Sequence, residues 1–147
     1  MKKAARVQGV ISITSKGTGY VKIEGQENKE KDIEIDARHL NTALHGDTVE
    51  VTLHPEVKLK RQNGEVSKIV SRAKTAFAGA LKKTYGTFFV KPDDPKMYTD
   101  ILIPEKNLGG AKEGQKVFAE IVFWQNSKLP PEAKIVKIFG RAGENEA

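Results

Sequence analysis

The chain has 147 residues, no cysteine and a formal net charge of +6, a length that fits one medium domain or two small ones. Its 38% hydrophobic and 30% charged residues exclude a largely disordered chain, and the missing cysteines exclude disulfides, a thiolate nucleophile and a cysteine zinc site. No apolar run reaches the ~18 residues of a membrane span and no signal-peptide core follows the basic start, so we expect a cytoplasmic protein without a membrane partner.

The predicted elements are short strands along the whole chain. They are rich in β-branched residues and are separated by Gly, Asn, Asp or Pro, which is typical of strands rather than helices. The pattern predicts strands over residues 6–13, 19–24, 32–35, 48–54, 64–70, 77–83, 86–91, 100–103, 116–123 and 133–139. A short helical turn over residues 38–44, ended by Gly46, is expected between the third and fourth strands. The charged run 24–31 and the Pro-rich run 92–99 are expected to be loops.

Five sequence blocks occur twice, in the same order and at offsets of 68 to 70 residues. The paired blocks are 7–11 with 77–81, 17–22 with 86–91, 32–35 with 100–103, 46–51 with 114–119, and 66–69 with 135–138. A common order at nearly one offset indicates two homologous modules of five strands each. We therefore predict a first domain over residues 1–73, a second over residues 74–140, and a polar tail over residues 141–147.

Five short strands in so small a module would expose sheet edges, and closing the sheet into a barrel removes those edges. A five-stranded barrel with an extra element between strands three and four is the OB-fold arrangement. The sequence thus predicts an all-β protein made of two tandem five-stranded OB-fold barrels.

The second strand of each module presents an aromatic residue and a lysine on one face, because side chains alternate along a strand. The expected core residues are Val21, Ile23, Phe88 and Val90. The expected outer residues are Tyr20, Lys22, Phe89 and Lys91. An exposed ring can stack on a base while the neighbouring lysine meets a phosphate, which is the chemistry of sequence-tolerant single-strand binding. The alternative for either ring is ordinary packing within the sheet.

Loops that flank this face in OB-folds also carry cations. The candidate loop residues are Lys58, Lys60 and Arg61 in the first module, and Lys82, Lys83 and Tyr85 in the second. Three carboxylates are expected on or beside the outer face of the third strand, namely Asp32, Glu34 and Asp36, and they would repel phosphate. The second module has Leu102 in the place of Glu34, so it is expected to bind better.

No catalytic or metal-binding pattern is evident. The three histidines, His39, His45 and His54, match no metal motif, and Asp93-Asp94 is expected to be a proline-flanked acidic turn. The chain offers no long helix to enter a major groove, so duplex DNA read by its base edges is excluded.

Several segments together resemble a known family. Residues 16–21, Lys-Gly-Thr-Gly-Tyr-Val, are similar to the cold-shock RNA-binding signature, with Thr18 in the place of its first aromatic, and this adds Lys16 to the candidate RNA-binding residues. Residues 32–35, 43–49, 64–66, 92–94 and 100–104 are similar, in order, to the tandem cold-shock domains of the ribonuclease R and ribonuclease II family of 3′ to 5′ exoribonucleases. Residues 140–147 resemble the link that leads into the catalytic domain of that family.

The resemblance implies two cold-shock-like OB domains that bind single-stranded RNA and guide it toward a catalytic domain missing from this chain. Magnesium would serve only that absent domain, so this chain alone is expected to need no cofactor, to hold no catalytic residue and to be a monomer. Two alternatives remain open at this point: a free-standing tandem cold-shock RNA chaperone, and a protein-interaction barrel that docks an acidic partner.

Overall fold

The computed structural model describes residues 5–23, 25 and 31–141. The chain divides between Lys74 and Thr75 into two compact units. Each unit is a closed barrel of five strands. The predicted all-β fold of two tandem OB barrels is therefore confirmed.

The first barrel is closed by pairing its first strand with its fourth. Its strands are β1 (Arg6–Ile13), β2 (Gly19–Ile23), β3 (Ile33–Ile35), β4 (Thr48–Leu53) and β5 (Asn63–Ser71). They are arranged in the order β1-β2-β3-β5-β4, with β3 parallel to β5. The inward side chains fill the barrel, and the fully buried ones include Ile11, Val21, Ile35, Val49 and Val51.

The second barrel repeats this topology. Its strands are β6 (Ala76–Thr84), β7 (Thr87–Pro92), β8 (Ile101–Ile103), β9 (Gln115–Phe123) and β10 (Glu132–Arg141). Their order is β10-β8-β7-β6-β9, and β9 pairs with β10 to close the barrel. Its fully buried side chains include Leu81, Val90, Ile101, Val117 and Ala133.

The repeated glycine of the first block has a steric cause. Gly9 and Gly79 occupy the same place on the first strand of each barrel. A Cβ at Gly9 would collide with the carbonyl oxygen of Lys22, and one at Gly79 would collide with that of Lys91. Glycine is therefore needed where the second strand crosses close to the first at a bend of the barrel.

Element ends differ from the predictions by one or two residues, and the predicted helical turn is shorter. In the region of the predicted turn, Ala37–His39 forms a 3₁₀ helix that is capped by the Asp36 carboxylate, and a matching 3₁₀ helix follows β8 at Glu105–Asn107. Gly46 does adopt a positive φ of 91°. Most of the predicted loop 24–31 and residues 142–147 of the predicted tail lie outside the described residues, whereas the backbone of Arg141 continues β10.

Candidate nucleic-acid interface

The outer face of the first barrel carries a row of three paired residues across β1, β2 and β3. Tyr20 lies opposite Ser12 on one side and Glu34 on the other. Val21, the next residue along β2, is fully buried. Tyr20 therefore points outward, as the alternation predicts, and its side chain is half-buried among its neighbours.

Groups of the first barrel itself engage the Tyr20 side chain. The guanidinium carbon of Arg61 lies 5.4 Å from the centre of the Tyr20 ring. The Tyr20 hydroxyl is 3.4 Å from Glu34 Oε1, and Arg61 also donates to the carbonyl of Asp32 at 3.3 Å. A base could stack on this ring only by sharing it with Arg61, in the presence of a carboxylate.

The second barrel presents the corresponding row with different chemistry. Phe89 lies opposite Lys82 on β6 and Leu102 on β8. Leu102 occupies the place of Glu34, and Lys82 the place of Ser12. This row therefore places an outward, half-buried ring beside a cation without the carboxylate found in the first barrel.

Phe88 is less buried than predicted. Its cross-strand partner Ile103 is buried, so Phe88 does lie on the inward side of β7. It lies next to the tight turn that joins β6 to β7 and is only half-buried. Lys83 Nζ lies 5.2 Å from the centre of its ring, a cation–π arrangement.

The other candidate residues are exposed. Lys22 and Lys91 lie on the outer faces of β2 and β7, and Lys16, Lys58 and Lys60 lie on turns and loops. Tyr85 is fully exposed at the tip of the β6–β7 turn, with a positive φ of 51°. Of the predicted residues, the structure brings Arg61 to Tyr20 and Lys82 to Phe89. Within the described ranges it shows no ring or ionic contact between Lys16, Lys58, Lys60 or Tyr85 and either ring.

Three aromatic residues that were not predicted from the sequence lie at another edge of the second barrel. Phe123 ends β9, Trp124 begins the following loop, and the centre of the Trp124 ring is 6.2 Å from that of Tyr98. The loop over residues 124–131 corresponds to the one that carries Arg61 in the first barrel. The sequence signal that could have identified these residues is a tryptophan in a loop that flanks the binding face of an OB-fold.

Two polar residues that were considered for metal or acid–base chemistry, His45 and Asp93, have structural partners. His45 accepts a hydrogen bond from the Ile13 amide at 3.0 Å, and Asp93 forms an ion pair with Lys116. Among the described residues, no group of three or more His, Cys, Asp or Glu is placed to bind a metal ion. The part of the chain that the structure describes also contains no helix long and apolar enough to cross a membrane.

Two closed OB barrels, each with an aromatic residue and a cation on one outer face, define a tandem OB-fold protein. Family models match both barrels: residues 9–69 match the ribonuclease B OB domain, and residues 89–147 match a cold shock domain. The two barrels correspond to the tandem cold-shock OB domains of the ribonuclease R and ribonuclease II family. Ribonuclease R of Vibrio cholerae is 32% identical over 139 residues, which cover 95% of this chain and 17% of that protein.

Two solved structures share the fold. Mycoplasma genitalium ribonuclease R in complex with ribose methylated single-stranded RNA gives a TM-score of 0.81 at 17% identity, covering 93% of this chain and 22% of that one. Yeast Ssd1, a pseudonuclease, gives a TM-score of 0.76 at 20% identity, covering 95% of this chain and 23% of that one. The chain thus spans less than a quarter of the length of the relatives it matches.

Proposed function

We propose that this chain binds single-stranded RNA, and that it does so mainly through the outer face of the second barrel. The row Lys82–Phe89–Leu102 carries this proposal, because it sets a ring for base stacking beside a cation for the phosphate. Exposed Lys91 lies two residues along the same face of β7. Stacking and phosphate contacts do not distinguish the bases, so the binding has little sequence preference.

The family supports a more specific role. The related ribonuclease R of Mycoplasma genitalium has been solved with single-stranded RNA. By analogy, this chain guides RNA toward the catalytic domain of a 3′ to 5′ exoribonuclease and acts in the cytoplasm as a monomer. The binding step needs no metal, because stacking and lysine contacts provide it.

The test is a titration of labelled single-stranded RNA at rising salt. We expect the affinity to fall with salt, with a log-log slope of about 0.7 for each phosphate neutralised, and to be unchanged by EDTA. Binding to an acidic protein but not to RNA, even at low salt, would contradict the proposal and favour an interaction barrel.

Incubation of the chain with single-stranded RNA and Mg²⁺ is expected to leave the RNA intact. A two-metal site needs several converging carboxylates, and the described residues contain no such group. Denaturing gel electrophoresis checks this result. An activity that shortens RNA from its 3′ end, requires the metal and copurifies with the chain through successive columns would contradict this prediction.

Replacing Glu34 with leucine is expected to strengthen RNA binding by about 0.5–1 kcal/mol, which is the scale of a partly exposed charge interaction. The substitution removes a carboxylate next to the Tyr20 ring and gives the first barrel the residue that the second has at Leu102. RNA titration measures the change. The matched control is Glu50→Leu on β4, which is not adjacent to β2 or β3 in the barrel; an equal gain from both variants would mean that only net charge matters.

A further inference from the structure

The row that contains Phe89 continues around the second barrel. Leu102 on β8 lies opposite Glu132 on β10, and Glu132 lies opposite Phe123 on β9. Cross-strand partners point to the same side of a sheet, and Leu102 lies between the buried Ile101 and Ile103. A β-bulge in β9 next to this pair turns Phe123 to the outer side, out of phase with the inward Val117 and Ala119. Phe123 therefore lies on the same outer surface as Phe89, three strands away through β8 and β10, or about 14 Å along the sheet.

An aromatic cluster occupies this end of the row. Phe123 is 52% exposed and Tyr98 is 44% exposed. The Trp124 ring lies against Tyr98 at 6.2 Å, with an angle of 47° between the rings. We call Tyr98, Phe123 and Trp124 the aromatic edge.

The loop that carries Trp124 is held in place by its own hydrogen bonds. The Trp124 indole N–H donates to the carbonyl of Leu129 at 3.1 Å. Asn126 accepts from the amide of Lys128 at 2.9 Å through its side chain and from the amide of Leu129 at 3.0 Å through its backbone. The Trp124 ring is therefore preorganised, so little of its side-chain entropy remains to be lost when a ligand stacks on it.

We infer that the aromatic edge is a second stacking site for bases of the same single-stranded RNA, downstream or upstream of the base on Phe89. This inference rests on the proposed function, since it extends the same surface. The spacing suits an RNA that follows the row around the barrel and contacts Phe89 and Phe123 with different bases. OB-folds accommodate roughly 4–16 nucleotides, which is enough for such a path.

The charges of the loop that carries Trp124 favour RNA over a protein as the occupant. The loop over residues 124–131 contains Lys128 and no acidic residue, and Lys134 is exposed two residues after Glu132 on β10. Glu132 is the one carboxylate in the extended row. In the first barrel the residue that follows β4 is His54, whose ring packs edge-on against His39 with 5.1 Å between the ring centres.

The sequence contains one tryptophan, so Trp124 fluorescence reports on this site alone. The experiment titrates the full chain with oligouridine of about 12 nucleotides, follows total binding by anisotropy of labelled RNA, and follows Trp124 emission in parallel. The emission of Trp124 should change with the same midpoint as the anisotropy.

Phe123→Ala should weaken RNA binding by roughly 5- to 150-fold. The matched control Phe139→Ala, which removes a 36% exposed ring from β10 outside the row, should leave it unchanged.

The outcomes separate this inference from the proposed function. One outcome is that the chain binds RNA and Phe89→Ala weakens this binding, while RNA leaves Trp124 emission unchanged and Phe123→Ala binds RNA as tightly as the unmodified chain. In that case the aromatic edge is not an RNA site, and the proposed function stands. If the unmodified chain binds no RNA, both fail. Thermal melting of Phe123→Ala excludes a loss of binding that is caused by unfolding.

Discussion

Replacing Asp47 with alanine is expected to lower the free energy of unfolding by about 3–5 kcal/mol, because it strands a buried charge. Asp47 is fully buried. Its Oδ2 accepts from Arg72 at 2.7 Å and from the Leu44 amide at 2.9 Å, and its Oδ1 accepts from the Ala73 amide at 3.1 Å. The same guanidinium donates to Thr42 Oγ1 at 3.1 Å. The variant removes the carboxylate that faces the Arg72 charge and the acceptor of the Leu44 and Ala73 amides.

The control for Asp47 is Asp93, which forms an exposed ion pair in the second barrel. Asp93 pairs with Lys116 at side chains that are 51% and 42% exposed, and breaking an exposed pair costs about 0–1 kcal/mol. Urea unfolding of Asp47→Ala and Asp93→Ala compares the two directly. Equal stabilities for the two variants would mean that the buried cluster contributes no more than a surface pair.

Replacing Phe89 with alanine is expected to weaken single-stranded RNA binding by about 1–3 kcal/mol, the usual contribution of one stacked base. Tyr20→Ala should have a smaller effect, because Arg61 already covers the Tyr20 ring and Glu34 holds its hydroxyl. RNA titration measures both affinities. Thermal melting of both variants accompanies the titration. Truncating an aromatic residue in a core lowers the free energy of unfolding by about 3–5 kcal/mol, and truncating either of these half-buried rings should lower it by less.

Lys22 and Lys91 are expected to contact RNA phosphates beside the two rings. Neutralising either exposed lysine should weaken binding and reduce its salt slope without loss of stability. A larger loss of RNA affinity in Tyr20→Ala than in Phe89→Ala would contradict the assignment of RNA binding mainly to the second barrel.

The strand pattern and the repeat were sufficient to predict the fold. Each strand combines β-branched residues with flanking turn residues, and the repeated Gly9 and Gly79 mark the same close crossing in both barrels. Strand ends were less predictable, because the last residues of a strand depend on the partner strand. Asn63 belongs to β5, for example, since it pairs with Glu34 across a parallel contact.

The direction of each candidate ring followed from alternation, but its surroundings did not. Arg61 reaches Tyr20 from a loop 41 residues away, and its position depends on a loop in which Leu59 has a φ of 67°. The sequence block that contains Gly46 and Asp47 was visible, yet nothing local revealed that Arg72 lies against Asp47. Such contacts depend on how the barrel brings distant segments together.

The most direct measurement is photo-crosslinking of single-stranded RNA that contains 4-thiouridine to the full chain, with the crosslinked peptides identified by mass spectrometry. The proposed RNA surface predicts crosslinks in β7 at Phe89 or Lys91 and in β6 at Lys82, on the outer face that these residues share. Crosslinks confined to the outer surface of β9 and β10 around Phe118 and Phe139, whose rings pack against each other at 6.3 Å, would contradict it.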